Sequence, residues 1–80
     1  MHAARRRPDG TFEVGNEIYR LEDRERDSFD VRRVRDAEVV GRLRFVNGGE
    51  TEVDGPAIDV DVVRAITHLL DGARGLLPLQ

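Results

Sequence analysis

The sequence has no cysteine, no lysine, no tryptophan and only one serine. Without cysteine there is no disulfide to staple a small fold and no thiolate to hold zinc. Without lysine, all 13 basic residues are arginine, a bias that a GC-rich bacterial genome produces. The lone Ser28 would need a histidine and an orienting carboxylate beside it to act as a nucleophile, and nothing in the sequence brings it to His68. Aromatic residues are scarce, with one tyrosine and three phenylalanines. No apolar run approaches the roughly 18–20 residues that span a bilayer. Arg5–Arg6–Arg7 is not followed by the apolar stretch of a secretory signal. A soluble, cytoplasmic protein is therefore expected, with no membrane partner.

Other absences narrow the function further. There is no phosphate-binding glycine loop and no dinucleotide fingerprint, and Gly48–Gly49 by itself is a turn. Asp54, Asp59 and Asp61 surround Gly55–Pro56, but they lack the spacing and ligand density of a calcium loop. A helix cap, a helix dipole and a cross-strand arginine account for the three acids. His68 falls opposite the apolar stripe of its helix, where an exposed histidine is expected. No catalytic residue, cofactor or metal ligand is expected, so the sequence points away from an enzyme.

What is present is one domain's worth of alternating pattern. Eighty residues, 39% of them hydrophobic, bury one sheet-on-helix core and little more. Residues 1–10 read as a flexible basic tail, 11–75 as a single α+β domain, and 76–80 as an apolar C-terminal tail. The expected fold is a curved antiparallel sheet of four to five strands, followed by one C-terminal helix packed on one face. Phe12 and Val14 face inward on a first strand. Tyr19 and Leu21 face inward on a second, with Ile18 and Arg20 outward. Asp23–Ser28 is polar and reads as a loop or a strand extension. In Phe29–Arg35, Val34 is out of phase with Phe29 and Val31, and a bulge at Arg32–Arg33 would turn it inward. Val39, Gly41, Leu43 and Phe45 alternate inward on the next strand, with Val40 and Val46 outward.

The hairpin register follows from the apolar pattern. A three-residue Asn47–Gly49 loop sets Phe45 against Thr51 and Leu43 against Val53. A two-residue loop would set Phe45 against Glu50, burying a charge or exposing a ring. The first register also places Arg44 opposite Glu52 and Arg42 opposite Asp54, with Asp30 beside Arg42. The helix is expected from about Asp59 to about Asp71. Asp59 is its N-cap, Asp61 lies in the first turn, and Ile58 and Val63 form a hydrophobic staple. Val62, Val63, Ile66, Leu69, Leu70 and Ala73 share one stripe, and Gly72 is the expected stop.

Charge is segregated. Five arginines between residues 32 and 44 face only two acids, a local net charge of +3 between acidic segments on either side. In the predicted register Arg42 and Arg44 have acidic neighbours. Arg32, Arg33 and Arg35 do not, which makes them the candidate contacts for an anion or a nucleic acid. Strands followed by one helix, with Gly55 and Ile58–Asp59 leading into that helix, resemble the positive-cofactor-four family of single-stranded-DNA-binding coactivators in order and length. That resemblance implies nucleic-acid binding through an arginine-rich sheet face. The chain carries no diagnostic motif of the family.

Apolar residues outside the first core give the other reading. Ile18, Val40 and Val46 sit on the outward sheet face among Arg20, Arg42 and Arg44, and the chain ends in Leu76, Leu77 and Leu79. The tail either folds over the core or meets another chain. With Ile18, Arg20, Val40, Arg42, Val46, Leu76, Leu77 and Leu79 as its interface, the expected protein is a non-catalytic interaction module. It would be homodimeric and would bind another protein. A small nucleic-acid-binding protein is the alternative.

Overall fold

The computed structural model describes residues 3–46 and 51–76, and side chains as far as Asp71. Six strands form one antiparallel meander in chain order. They are β1 (Ala4–Arg6), β2 (Phe12–Val14), β3 (Glu17–Glu25), β4 (Ser28–Arg33), β5 (Val39–Phe45) and β6 (Thr51–Val53). One helix, α1 (Val60–Leu76), follows. The sheet curls so that α1 packs on β5 and β6 at one side and on β1 and β2 at the other. The α+β architecture matches the sequence reading, with one strand more.

That strand comes from the segment read as a flexible tail. Arg5 pairs with Glu13 and Arg6 with Phe12. The connecting turn is held by Asp9, whose carboxylate accepts from the Thr11 N–H at 3.0 Å and the Thr11 hydroxyl at 2.6 Å. Ala4 packs on the core, and the Arg6 guanidinium lies 5.9 Å from the Phe12 ring centre. One alanine is too small an apolar signal to mark a strand by periodicity.

Two bulges shape the sheet. At the first, the β3–β4 register shifts between Asp23 and Glu25, so the polar segment continues β3 as far as Glu25. Asp27 then turns the chain with φ of 62°. The second lies between β4 and β5, where Val31 faces Gly41 but Arg32 faces Val39. The extra residue is therefore Val40 on β5, rather than a residue at Arg32–Arg33. Val34 consequently stays 44% exposed, while Val40 is fully buried. An extra residue on either strand would repair the phase, and the one on β5 puts the larger apolar surface inside.

The β5–β6 pairing is Leu43 with Val53, Arg44 with Glu52 and Phe45 with Thr51, as the sequence predicts. The Asp54 N–H donates to the Arg42 carbonyl at 2.9 Å, extending the same register. The Asn47–Gly49 loop lies outside the described residues. Phe12, Val14, Tyr19, Val31, Val40, Leu43, Val62, Val63 and Ile66 make the core between sheet and helix. At Gly41 the helix comes so close that an added Cβ would lie 2.4 Å from Val63 Cγ2.

Asp59 caps the helix, its carboxylate accepting from the Val62 N–H at 3.3 Å. Ile58 is 69% exposed, so the expected staple with buried Val63 does not form. The helix also runs through Gly72 to Leu76 instead of stopping. A helical glycine costs only about 1 kcal/mol relative to alanine, which neighbouring helix formers offset. Near that end, Asp71 accepts from the Thr51 N–H at 3.0 Å and the Thr51 hydroxyl at 2.8 Å. It thereby caps an outward-facing amide on the edge of β6.

Candidate interaction face on the outer sheet surface

Strand alternation places all four aromatic residues on the helix side of the sheet. Phe12 stands across from Tyr19, Phe29 from Leu43, and Phe45 from Thr51. Phe29 and Phe45 touch, with ring centres 5.1 Å apart. The outer face is left to the intervening residues, most of them charged. Arg20 faces Arg32 across β3 and β4 in one row. Glu22, Asp30 and Arg42 face one another in the next, and Arg44 faces Glu52 in a third.

Glu22 and Asp30 are like charges directly opposite each other, an arrangement that destabilises a sheet by itself. Arginines compensate on both sides. Glu22 accepts from Arg32 Nε at 2.7 Å and from Arg20 Nε at 2.8 Å, and these bonds, Arg32 foremost, lower its pKa. Asp30 lies 3.6 Å from Arg42 Nε and 3.9 Å from Arg24 Nε. The Arg42 Nε is shielded from solvent and makes no hydrogen bond. Arg44 donates to Glu52 at 3.1 Å, which raises the guanidinium pKa. Arg5 pairs with Glu13 at the far side of the face.

The three arginines expected to lack acidic partners have them. Arg32 holds Glu22. Arg33 holds Asp36 through two bonds of 3.0 Å and Glu38 at 2.6 Å. Arg35 holds Glu17 at 3.1 Å. The Arg33 pair pulls the Asp36 pKa down to about 2 and raises that of Arg33 itself. Sequence spacing hides the Arg33 pairs because Ala37, at φ of 61°, folds the turn back toward Arg33, while Arg32 and Arg35 reach acids on β3, far away in the chain. The polar stretch open to either a loop or a strand extension takes the second form as far as Glu25, and it carries Arg24 onto the face. The alternating charges of Glu22, Arg24 and Arg26 were the available signal.

The residues expected at an interface separate. Arg20 is exposed, and Ile18, Arg42 and Val46 are half-buried. Val40 belongs to the core, which removes it from any interface. Leu76 ends the helix, with its side chain outside the described set, and Leu77 and Leu79 lie outside the described residues. Among the described residues, the exposed large apolar side chains are instead Val34, Ile58 and Val60.

Other sites carry less chemistry. Among the described residues no group of three or more histidines, cysteines or carboxylates could hold a metal ion. None of the described helices is long and apolar enough to cross a membrane. Ser28 is buried and His68 exposed. An open groove of about 730 Å³ runs between β1 and α1, with Ala4, Ala65 and Leu69 as its floor and Asp61, Arg64 and His68 at its rim. Comparison with known proteins finds no matching family model, no matching curated protein and no matching solved structure.

Proposed function

We propose that this chain is a non-catalytic protein-interaction module that works in the cytoplasm and self-associates as a homodimer. The observation that carries the reading is the exposure of Val34, Ile58 and Val60, at 44%, 69% and 39%, at one end of the sheet. Val34 adjoins Ile18 through a backbone hydrogen bond of 2.9 Å, and Asp59, between Ile58 and Val60, is bonded to Val40 at 3.0 Å. β4 and the segment at Asp59 are separated only by β5, so the backbone segments that carry these side chains stand about two strand spacings, roughly 10 Å, apart across the sheet. Grouped apolar side chains on a small domain favour a second copy, and a two-fold contact uses each of them twice.

Val34→Glu and Ile58→Glu test the proposal. Both side chains are exposed, and an acid near the helix N-terminus suits its dipole, so the fold is retained. Sedimentation equilibrium at micromolar concentration is expected to give a dimer for the unaltered chain and a monomer for the double variant. A monomer in both rejects self-association.

A nucleic-acid-binding reading draws on the five arginines, against four acids, in the central rows of the outer face. It lacks a stacking surface, because every aromatic ring is on the other side of the sheet.

A further inference from the structure

The carboxylates of the outer face meet three of the arginines at one edge of the guanidinium. Arg20, Arg24 and Arg42 each approach a carboxylate through Nε. Among the described residues, their terminal amino groups make no hydrogen bond. Those two groups form the planar end of the guanidinium, the fork that grips a carboxylate or phosphate through two parallel bonds. Glu22 and Asp30 lie on the Nε side of these guanidinium groups. Glu22 accepts from Arg20 at 2.8 Å, while Asp30 attracts Arg24 and Arg42 by charge alone at 3.9 and 3.6 Å, which leaves the forks of Arg20, Arg24 and Arg42 available. The three side chains keep between 38% and 52% of their surface exposed.

We infer that this face is a docking surface for an acidic polypeptide segment, whose carboxylates the forks of Arg20, Arg24 and Arg42 grip. Charge complementarity selects the partner. Arg20, Arg24, Arg32, Arg42 and Arg44 outnumber Glu22, Asp30, Glu52 and Asp54, so the central face keeps one positive charge on a chain whose net charge is −3. An excess of one sign sets these two copies of the face against each other and favours an oppositely charged partner. The absence of aromatic rings from the face favours carboxylates over stacked bases as the anion. Side chains on one side of an extended segment repeat about every 6.6 Å, matching the two-residue steps between the rows here.

The inference rests on the reading of this chain as a protein-interaction module, but it does not depend on the dimer. A titration reads peptide binding equally for monomer and dimer, so loss of one proposal leaves the other standing. The experiment is fluorescence anisotropy of a labelled ten-residue poly-glutamate peptide with the full chain at low ionic strength. Arg20→Gln with Arg42→Gln leaves Glu22 paired with Arg32 and Asp30 with Arg24, and is expected to weaken binding about tenfold. Arg20→Lys with Arg42→Lys preserves the charge, removes the forks, and is expected to lose severalfold; it carries the test should the glutamine variant fail to fold by circular dichroism. Arg64→Gln, on the helix, is expected to bind as the unaltered chain does. No binding, an equal loss with Arg64→Gln, full affinity in the lysine variant, or tighter binding of oligothymidylate would each overturn the inference.

Discussion

Replacing Gly41 with alanine is the sharpest test of how sheet and helix meet. The new Cβ would lie 2.4 Å from Val63 Cγ2 and 3.0 Å from Ala57 Cβ. Carbon atoms rest about 3.5–4.0 Å apart, so the Val63 methyl must give by more than about 1 Å. It has nowhere to go, because Val63 is fully buried and a β-branched side chain in a helix keeps one strongly preferred rotamer. The helix must then back away from β5, loosening Val62 and Ile66 with it. Overpacking of this kind costs about 1–3 kcal/mol, and the double contact places Gly41→Ala at the upper end. In an 80-residue domain that lowers Tm by roughly 10–20 °C. Val63→Ala removes the offending methyls. Alone it destabilises by about 1–3 kcal/mol through lost burial, but in the Gly41→Ala background it relieves the clash. Urea denaturation of the four proteins should therefore give a coupling energy of at least about 1 kcal/mol. Strictly additive effects, or a Gly41→Ala protein within about 0.5 kcal/mol of the unaltered chain, would refute the packing argument.

Two further tests address polar contacts. Asp71→Ala leaves the Thr51 amide without its acceptor and is expected to cost about 1–3 kcal/mol, measured by urea denaturation, with faster hydrogen exchange at Thr51. Acid sensitivity should trace partly to Asp36. Its folded pKa of about 2 lies below the ordinary 3.8, so its contribution is present above about pH 4 and is lost as pH falls toward 2. Asp36→Asn should make thermal stability fall less steeply over that window, and an unchanged acid limb would count against the Arg33 pair.

Where the sequence is legible, one reading of the pattern is much better than its neighbours. The β5–β6 register is such a case, since sliding by one residue would set Phe45 against Glu50. The Asp59 cap is another, because an acid stands directly before a long apolar stripe. Illegibility arises where two solutions are nearly equal. The Val39–Val40 doublet fits the core with either valine inward, and only the bulge on β5 decides it. Gly72 suits a helix stop but also tolerates a continuing helix. The candidate face shares this ambiguity. Its pairs at Arg44 and Arg42 follow from register, whereas that at Arg33 depends on a turn whose direction is set by the left-handed backbone of Ala37, and that at Arg35 on the chain continuing beside β3 past the end of β4.

The placement of α1 bears on how the chain folds. Every strand of the meander pairs with its neighbour in sequence, so each closure spans a short loop and costs little entropy. The helix alone makes distant contacts, since it touches β1 at one end of the order and β6 at the other. Until it docks, Val31, Val40 and Leu43 have no cover, and the sheet is a curled ribbon with a wet inner face. Helix docking, rather than strand pairing, is then the step that commits the chain. Substitutions at Val63 or Gly41 should slow folding by the amount they weaken that docking in the transition state, while changes in the outer charge rows mainly alter unfolding.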